Sequence, residues 1–128
     1  MAIKAIVALA VLGAIGAPAH AQMTGEWQGY GLQAGPSGVQ STWNIVMTVR
    51  SDITSRIEYP SLGCKGALHE LSRSKDEIEF REEIVSGPCI DGGRLVVRQR
   101  EGRLSWFWYL PGGNIDASAV LYRGNWIS

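Results

Sequence analysis

Glu77-Ile78-Glu79-Phe80-Arg81-Glu82-Glu83-Ile84-Val85 decides the fold class. Read at a period of two, Ile78, Phe80 and Ile84 fall on one face and Glu77, Glu79, Arg81 and Glu83 on the other, which is the pattern of a half-buried strand. Read at helical spacing, the charged stretch from Ala67 to Val85 stacks Leu68, Leu71, Lys75, Ile78 and Glu82 on one stripe, a poor apolar face. The strand reading is preferred because it separates apolar from charged side chains. One residue breaks the separation: Glu82 shares the inward face of Ile78, Phe80 and Ile84. An inward carboxylate is costly unless it is paired. It is read in three ways: as a structural partner of Arg98 or of the Tyr59 hydroxyl, as a polar anchor in a ligand cavity, or as a general acid or base.

The same period runs outward from this stretch. Trp43, Ile45, Met47 and Val49 alternate with Asn44, Val46, Thr48 and Arg50. Turn signals punctuate the chain at Ala34 to Gly38, Pro60 to Gly63, Ser72 to Asp76, Gly87-Pro88, Asp91 to Gly93, Glu101-Gly102 and Pro111 to Asn114. They leave about eight short strands: Glu26 to Leu32, Thr42 to Arg50, Ser55 to Tyr59, Gly66 to Leu71, Glu77 to Val85, Arg94 to Arg100, Leu104 to Leu110, and Ala117 to Arg123. Short loops between consecutive strands favour an all-β, antiparallel up-and-down meander closed as a small barrel, which leaves no sheet edge exposed.

Leu104-Ser105-Trp106-Phe107-Trp108-Tyr109-Leu110 is aromatic on both faces. Alternation sends Leu104, Trp106, Trp108 and Leu110 one way, and Phe107 and Tyr109 the other. One reading is core packing on one side with partial cover on the other. The other is a row that lines a cavity or offers a flat platform to a sugar ring, a lipid or a partner protein, with Trp27 and Trp43 completing the lining.

The chain has 128 residues, 45% of them hydrophobic, and 12 basic against 12 acidic side chains, which bounds it to one small domain. Balanced charge leaves no electrostatic footprint for nucleic acid or an anionic membrane. Met1 to Lys4, the apolar run Ala5 to Ala17 and the small residues Ala19-His20-Ala21 form a signal-peptide pattern. The apolar run is too short for a bilayer core of about 30 Å, so no integral membrane insertion is expected. The expected organisation is a cleaved signal peptide over 1–21 and a single β-barrel domain over 22–128, exported to the periplasm or secreted. Two cysteines, Cys64 and Cys89, then meet an oxidising compartment, where one disulfide is the default.

The sequence carries no recognisable catalytic or cofactor pattern. His69 is the one imidazole left after cleavage, so no His-based metal cluster can form, and no Cys-x-x-Cys pair is present to hold zinc. There is no Gly-x-Ser-x-Gly elbow, dinucleotide fingerprint or phosphate-cradling loop. The expectation is a non-catalytic recognition module without metal or cofactor. It would be a monomer, acting through its aromatic surface or a small barrel cavity on a small ligand, glycan or extracytoplasmic protein. The alternative is a protein-interaction factor such as an inhibitor of an envelope or foreign hydrolase. The candidate ligand-binding residues are Trp106, Trp108, Tyr59, Glu82, Trp27 and Trp43.

Gly25-Glu26-Trp27-x-Gly29, Ile57-Glu58-Tyr59-Pro60-Ser61-Leu62-Gly63-Cys64-Lys65-Gly66-Ala67-Leu68, Phe80-Arg81-Glu82-x-Ile84-x-x-Gly87-x-Cys89-x-x-Gly92-Gly93 and Leu104-Ser105-Trp106 together resemble a family of small secreted bacterial β-rich modules. The resemblance spans roughly Trp27 to Trp108 and implies a compact extracytoplasmic β-domain, with no reaction attached. It also implies that Cys64 pairs with Cys89 and that Glu82 is a family position. Tyr59, Glu82 and the disulfide would then cluster at one end of the barrel. The opening Trp-x-Gly resembles, more weakly, the first strand of lipocalin- and avidin-like barrels, in which a Trp plugs or lines one end, and this resemblance implies that the small meander barrel is calycin-like.

Overall fold

The computed structural model describes residues 23–35, 38 and 40–124; the expected signal peptide lies outside them. Eight strands follow in order: β1 (Gly25–Ala34), β2 (Gln40–Val49), β3 (Ser55–Tyr59), β4 (Cys64–Arg73), β5 (Glu77–Ser86), β6 (Arg94–Arg100), β7 (Arg103–Tyr109) and β8 (Ile115–Arg123). A single 3-10 turn, Pro60–Leu62, joins β3 to β4. Each strand pairs antiparallel with the next and β8 returns to β1, with Trp27 opposite Arg123 and Leu32 opposite Ser118. The barrel is closed, so the backbone donors and acceptors of the outer strands are satisfied by each other. The ambiguous Ala67 to Val85 stretch is two paired strands, β4 and β5, not a helix.

Alternation decides what goes inside. Trp27, Ile45, Met47, Ile57, Leu68, Phe80, Leu95, Val97, Leu104, Trp106 and Leu121 are buried from successive strands, while the residues between them turn outward. An eight-stranded barrel has an interior just wide enough for side chains or one small ligand. Here the two ends differ. At the end where β1 begins, Met23 and Trp27 are fully buried, and the Trp27 indole donates to the Met23 carbonyl at 2.8 Å. Arg123 lies over the same ring, 4.1 Å from its centroid. That end is filled with packed side chains.

At the other end the chain is tied covalently. Cys64, the first residue of β4, is bonded to Cys89 in the β5–β6 connection, with Cα atoms 6.2 Å apart. The disulfide fits folding in an oxidising, extracytoplasmic environment. Among the described residues no helix is long and apolar enough to cross a membrane.

Gly87 makes the close crossing of these two connections feasible. Its φ is +96°, and a methyl group there would collide with the Gly63 carbonyl and come within 2.7 Å of the Cys64 Cα. Gly87→Ala is therefore expected to cost about 2–3 kcal/mol, combining backbone strain with overpacking. Gly112 also has positive φ but open space around it, so Gly112→Ala should cost only about 1 kcal/mol. Urea unfolding of the two variants side by side checks this, and equal losses would mean that the Gly87 crossing is not tight.

Candidate functional site

The inward parity of β5 carries Glu82 into the barrel, where it is 1% exposed. Just past the last β5–β6 pair, Arg81 with Arg94, the Glu82 N–H donates to the Gly93 carbonyl at 2.8 Å and its own carbonyl accepts from the Gly92 N–H at 3.0 Å. These bonds fold the β5–β6 connection back onto the barrel end. Ile84 N–H donates to the Asp91 carboxylate at 2.7 Å and fixes the same connection from its other side.

Two neutral donors hold the Glu82 carboxylate. The Tyr59 hydroxyl, at the end of β3, donates to Oε2 at 2.5 Å, and the Trp108 indole Nε1, on β7, donates to Oε1 at 3.0 Å. Trp108 reaches it because Gly93 has no side chain: a Cβ there would sit 2.5 Å from the indole Cε2. Burial pushes the Glu82 carboxyl above its ordinary value, opposed by the bonds from Tyr59 and Trp108 and reinforced by the charge of Asp91. Burial likewise raises the Tyr59 phenol well above its ordinary value, and the adjacent Glu82 charge and hydrogen bond raise it further. Tyr59 is thus held as a protonated donor.

Of the two sequence-level partners for Glu82, Tyr59 is the one observed. Arg98 is not a partner: it lies on the outward parity of β6, opposite Glu77, and donates to that residue at 3.0 Å. Outward parity also places His69 against Glu83, at 2.8 Å on the exposed side of β4 and β5.

Above the carboxylate lies a cavity of about 200 Å³. Its walls are the aromatic side chains of Trp43, Tyr59, Trp106 and Trp108, together with Ala117 and Cys89. Leu62 and Ile90, both largely exposed, stand at the mouth on the two connections that the disulfide joins. Gln33 and Asp116 add a polar edge, the amide of the first donating to the carboxylate of the second. Trp106 is 1% exposed and meets Tyr59 edge-on at 6.4 Å, and its buried indole N–H has no acceptor among the described residues. Among the described residues no three His, Cys, Asp or Glu side chains are grouped to hold a metal ion.

Five of the six sequence candidates, Tyr59, Glu82, Trp43, Trp106 and Trp108, therefore meet around one space. Trp27 does not join them. Antiparallel pairing sets Trp27 opposite Met47 and Trp43 opposite Gly31, which separates the two indoles along the barrel axis. Trp43 lies against Gly31, where a Cβ would come within 2.7 Å of its ring. Phe107 and Tyr109 form the outward row of β7, and Arg94 stacks on Tyr109 at 4.6 Å.

Sequence reading missed Gln33, Asp116, Ala117, Leu62 and Ile90 as lining residues. Each sits within three residues of a turn at this end, and strand order was the signal that could have gathered them. Comparison with protein-family models, curated proteins and solved structures finds no match to this chain.

Proposed function

We propose that this chain is an exported, non-catalytic binding module that takes a small ligand in its barrel-end cavity. One observation carries the reading: the barrel is packed solid at one end and open at the other, over a buried carboxylate held by Tyr59 and Trp108. A mostly apolar space with a few fixed polar groups is what small-molecule sites are made of. At about 200 Å³ it is smaller than the roughly 300–1,000 Å³ of pockets that enclose drug-sized ligands. It suits a compact molecule, or one end of a larger one such as a glycan. The residues that resemble small secreted bacterial modules, Tyr59 to Cys64, Glu82 and Cys89, are among those that build this end. Such a module works by holding and orienting its guest.

The test is native mass spectrometry of protein purified from its exported compartment. The expected result is a reproducible added mass that leaves on denaturation and is absent from Ala117→Phe, which fills the cavity. A bare wild-type spectrum, with no change in Trp fluorescence across small-molecule and glycan panels, would overturn the proposal. A second reading, a protein-interaction factor, is favoured by the outer face of β1, β7 and β8. There Tyr30, Leu32, Val120 and Tyr122 are exposed around Phe107 and form a shallow apolar groove. A co-purifying polypeptide in the same spectrum would support that reading.

A further inference from the structure

We infer that the occupant of the cavity is a small organic cation, an ammonium group carried on a compact apolar skeleton. The inference deepens the proposed function and rests on it.

Charge is the first argument. Among the described residues the lining contains two carboxylates, Glu82 and Asp116, and no Lys, Arg or His. Asp91 adds a third negative group on the adjoining connection, close enough for its charge to act on Glu82. The basic residues of the neighbouring strands are drawn outward: Arg94 pairs with Glu79 at 3.2 Å, Arg98 with Glu77 at 3.0 Å and Lys65 with Glu58 at 3.9 Å. Among the described residues Glu82 forms no ion pair, although it is almost wholly buried. A buried carboxylate with only neutral donors lacks its counter-charge, and in a low-dielectric site a cation that supplies it is held strongly. Each Glu82 oxygen keeps one lone pair beyond the bond from Tyr59 or Trp108, so it can still accept from an ammonium N–H.

The walls are the second argument. Three Trp and one Tyr surround the space, and a ring face attracts a cation, Trp most strongly.

Butylammonium, butan-1-ol and butyrate share one skeleton and differ in charge, and tetramethylammonium lacks the N–H donors. Binding of each is followed through the indole N–H resonances of the full protein. Saturable shifts at Trp106 and Trp108 are expected with butylammonium, at an affinity at least about tenfold above that of butyrate. Tetramethylammonium separates the two sources of attraction: binding equal to butylammonium assigns it to the rings, and weaker binding to the lone pairs of Glu82. Glu82→Gln should remove most of the charge preference. Asp116→Asn, at the edge of the cavity and still able to accept from Gln33, should reduce it in a protein whose core is untouched. Saturable binding of butanol or butyrate as tight as that of butylammonium would overturn the cation assignment and leave the cavity reading standing. Failure of all four probes, together with a bare native mass, would overturn both.

Discussion

Removing the disulfide, by Cys64→Ser with Cys89→Ser or by reduction, should lower stability by about 3–4 kcal/mol in the chain-entropy account. The two cysteines are 25 residues apart, and opening that loop returns freedom to the unfolded chain while the native contacts remain. For a small domain this is a large share of the total. The location adds a local effect. Cys64 is 1% exposed at the start of β4, whereas Cys89 sits on a connection whose other anchors are the backbone bonds to Glu82 and the Asp91 carboxylate. Reduction should therefore loosen Ile90 and Leu62 at the cavity mouth before it melts the barrel. Urea unfolding with and without reductant measures the first effect, as a midpoint lower by about 1 M or more. Amide exchange at residues 87–93 measures the second. A stability change below about 1 kcal/mol would mean that the bridge staples a region already held by its other bonds.

The barrel was legible in the sequence because each signal was local. Apolar and polar side chains alternate in β2 and β5, turn residues stand between the runs, and every connection is short enough to force neighbouring strands to pair. The inward pointing of Glu82 followed from the parity of Ile78 and Phe80 alone, and the structure agrees. Its partner did not follow, because Arg98 and Tyr59 are equally plausible until register is known. The register sets Glu77 opposite Arg98 and so turns that arginine outward. Trp27 was grouped with the other tryptophans for a related reason. Composition shows that an indole is there, but only antiparallel pairing shows which end of the barrel it enters. Whether the barrel interior is open or filled was beyond reach, since it depends on the room that a small residue such as Ala117 leaves beside the aromatic rings, and an absent side chain carries no pattern.

Truncating Glu82 should be the most damaging single change at the site. Glu82→Ala leaves the Tyr59 hydroxyl and the Trp108 indole N–H without the acceptor they share, in surroundings where each unmet donor costs about 1–3 kcal/mol. A total loss of about 3–5 kcal/mol is expected. Glu82→Gln keeps one carbonyl oxygen for one donor but turns an amide N–H toward the other, and should cost about 1–3 kcal/mol. The two differ more sharply in their response to pH. Burial raises the Glu82 carboxyl above its ordinary 4.5, so the folded protein keeps a proton that the unfolded chain has already released. Protonation therefore favours folding. The contribution of Glu82 is fully present below the ordinary carboxyl range, falls as pH rises, and is lowest above the raised native value. Glutamine carries no such proton, so the stability of the wild type relative to Glu82→Gln should decline as pH climbs from about 4 towards 8. Urea unfolding of both proteins across that range gives the difference directly. A difference that grows with pH would show that the bonds from Tyr59 and Trp108 outweigh the cost of burying the charge. The carboxylate would then be a satisfied structural group, and the case for a counter-charge brought by a ligand would fall with it.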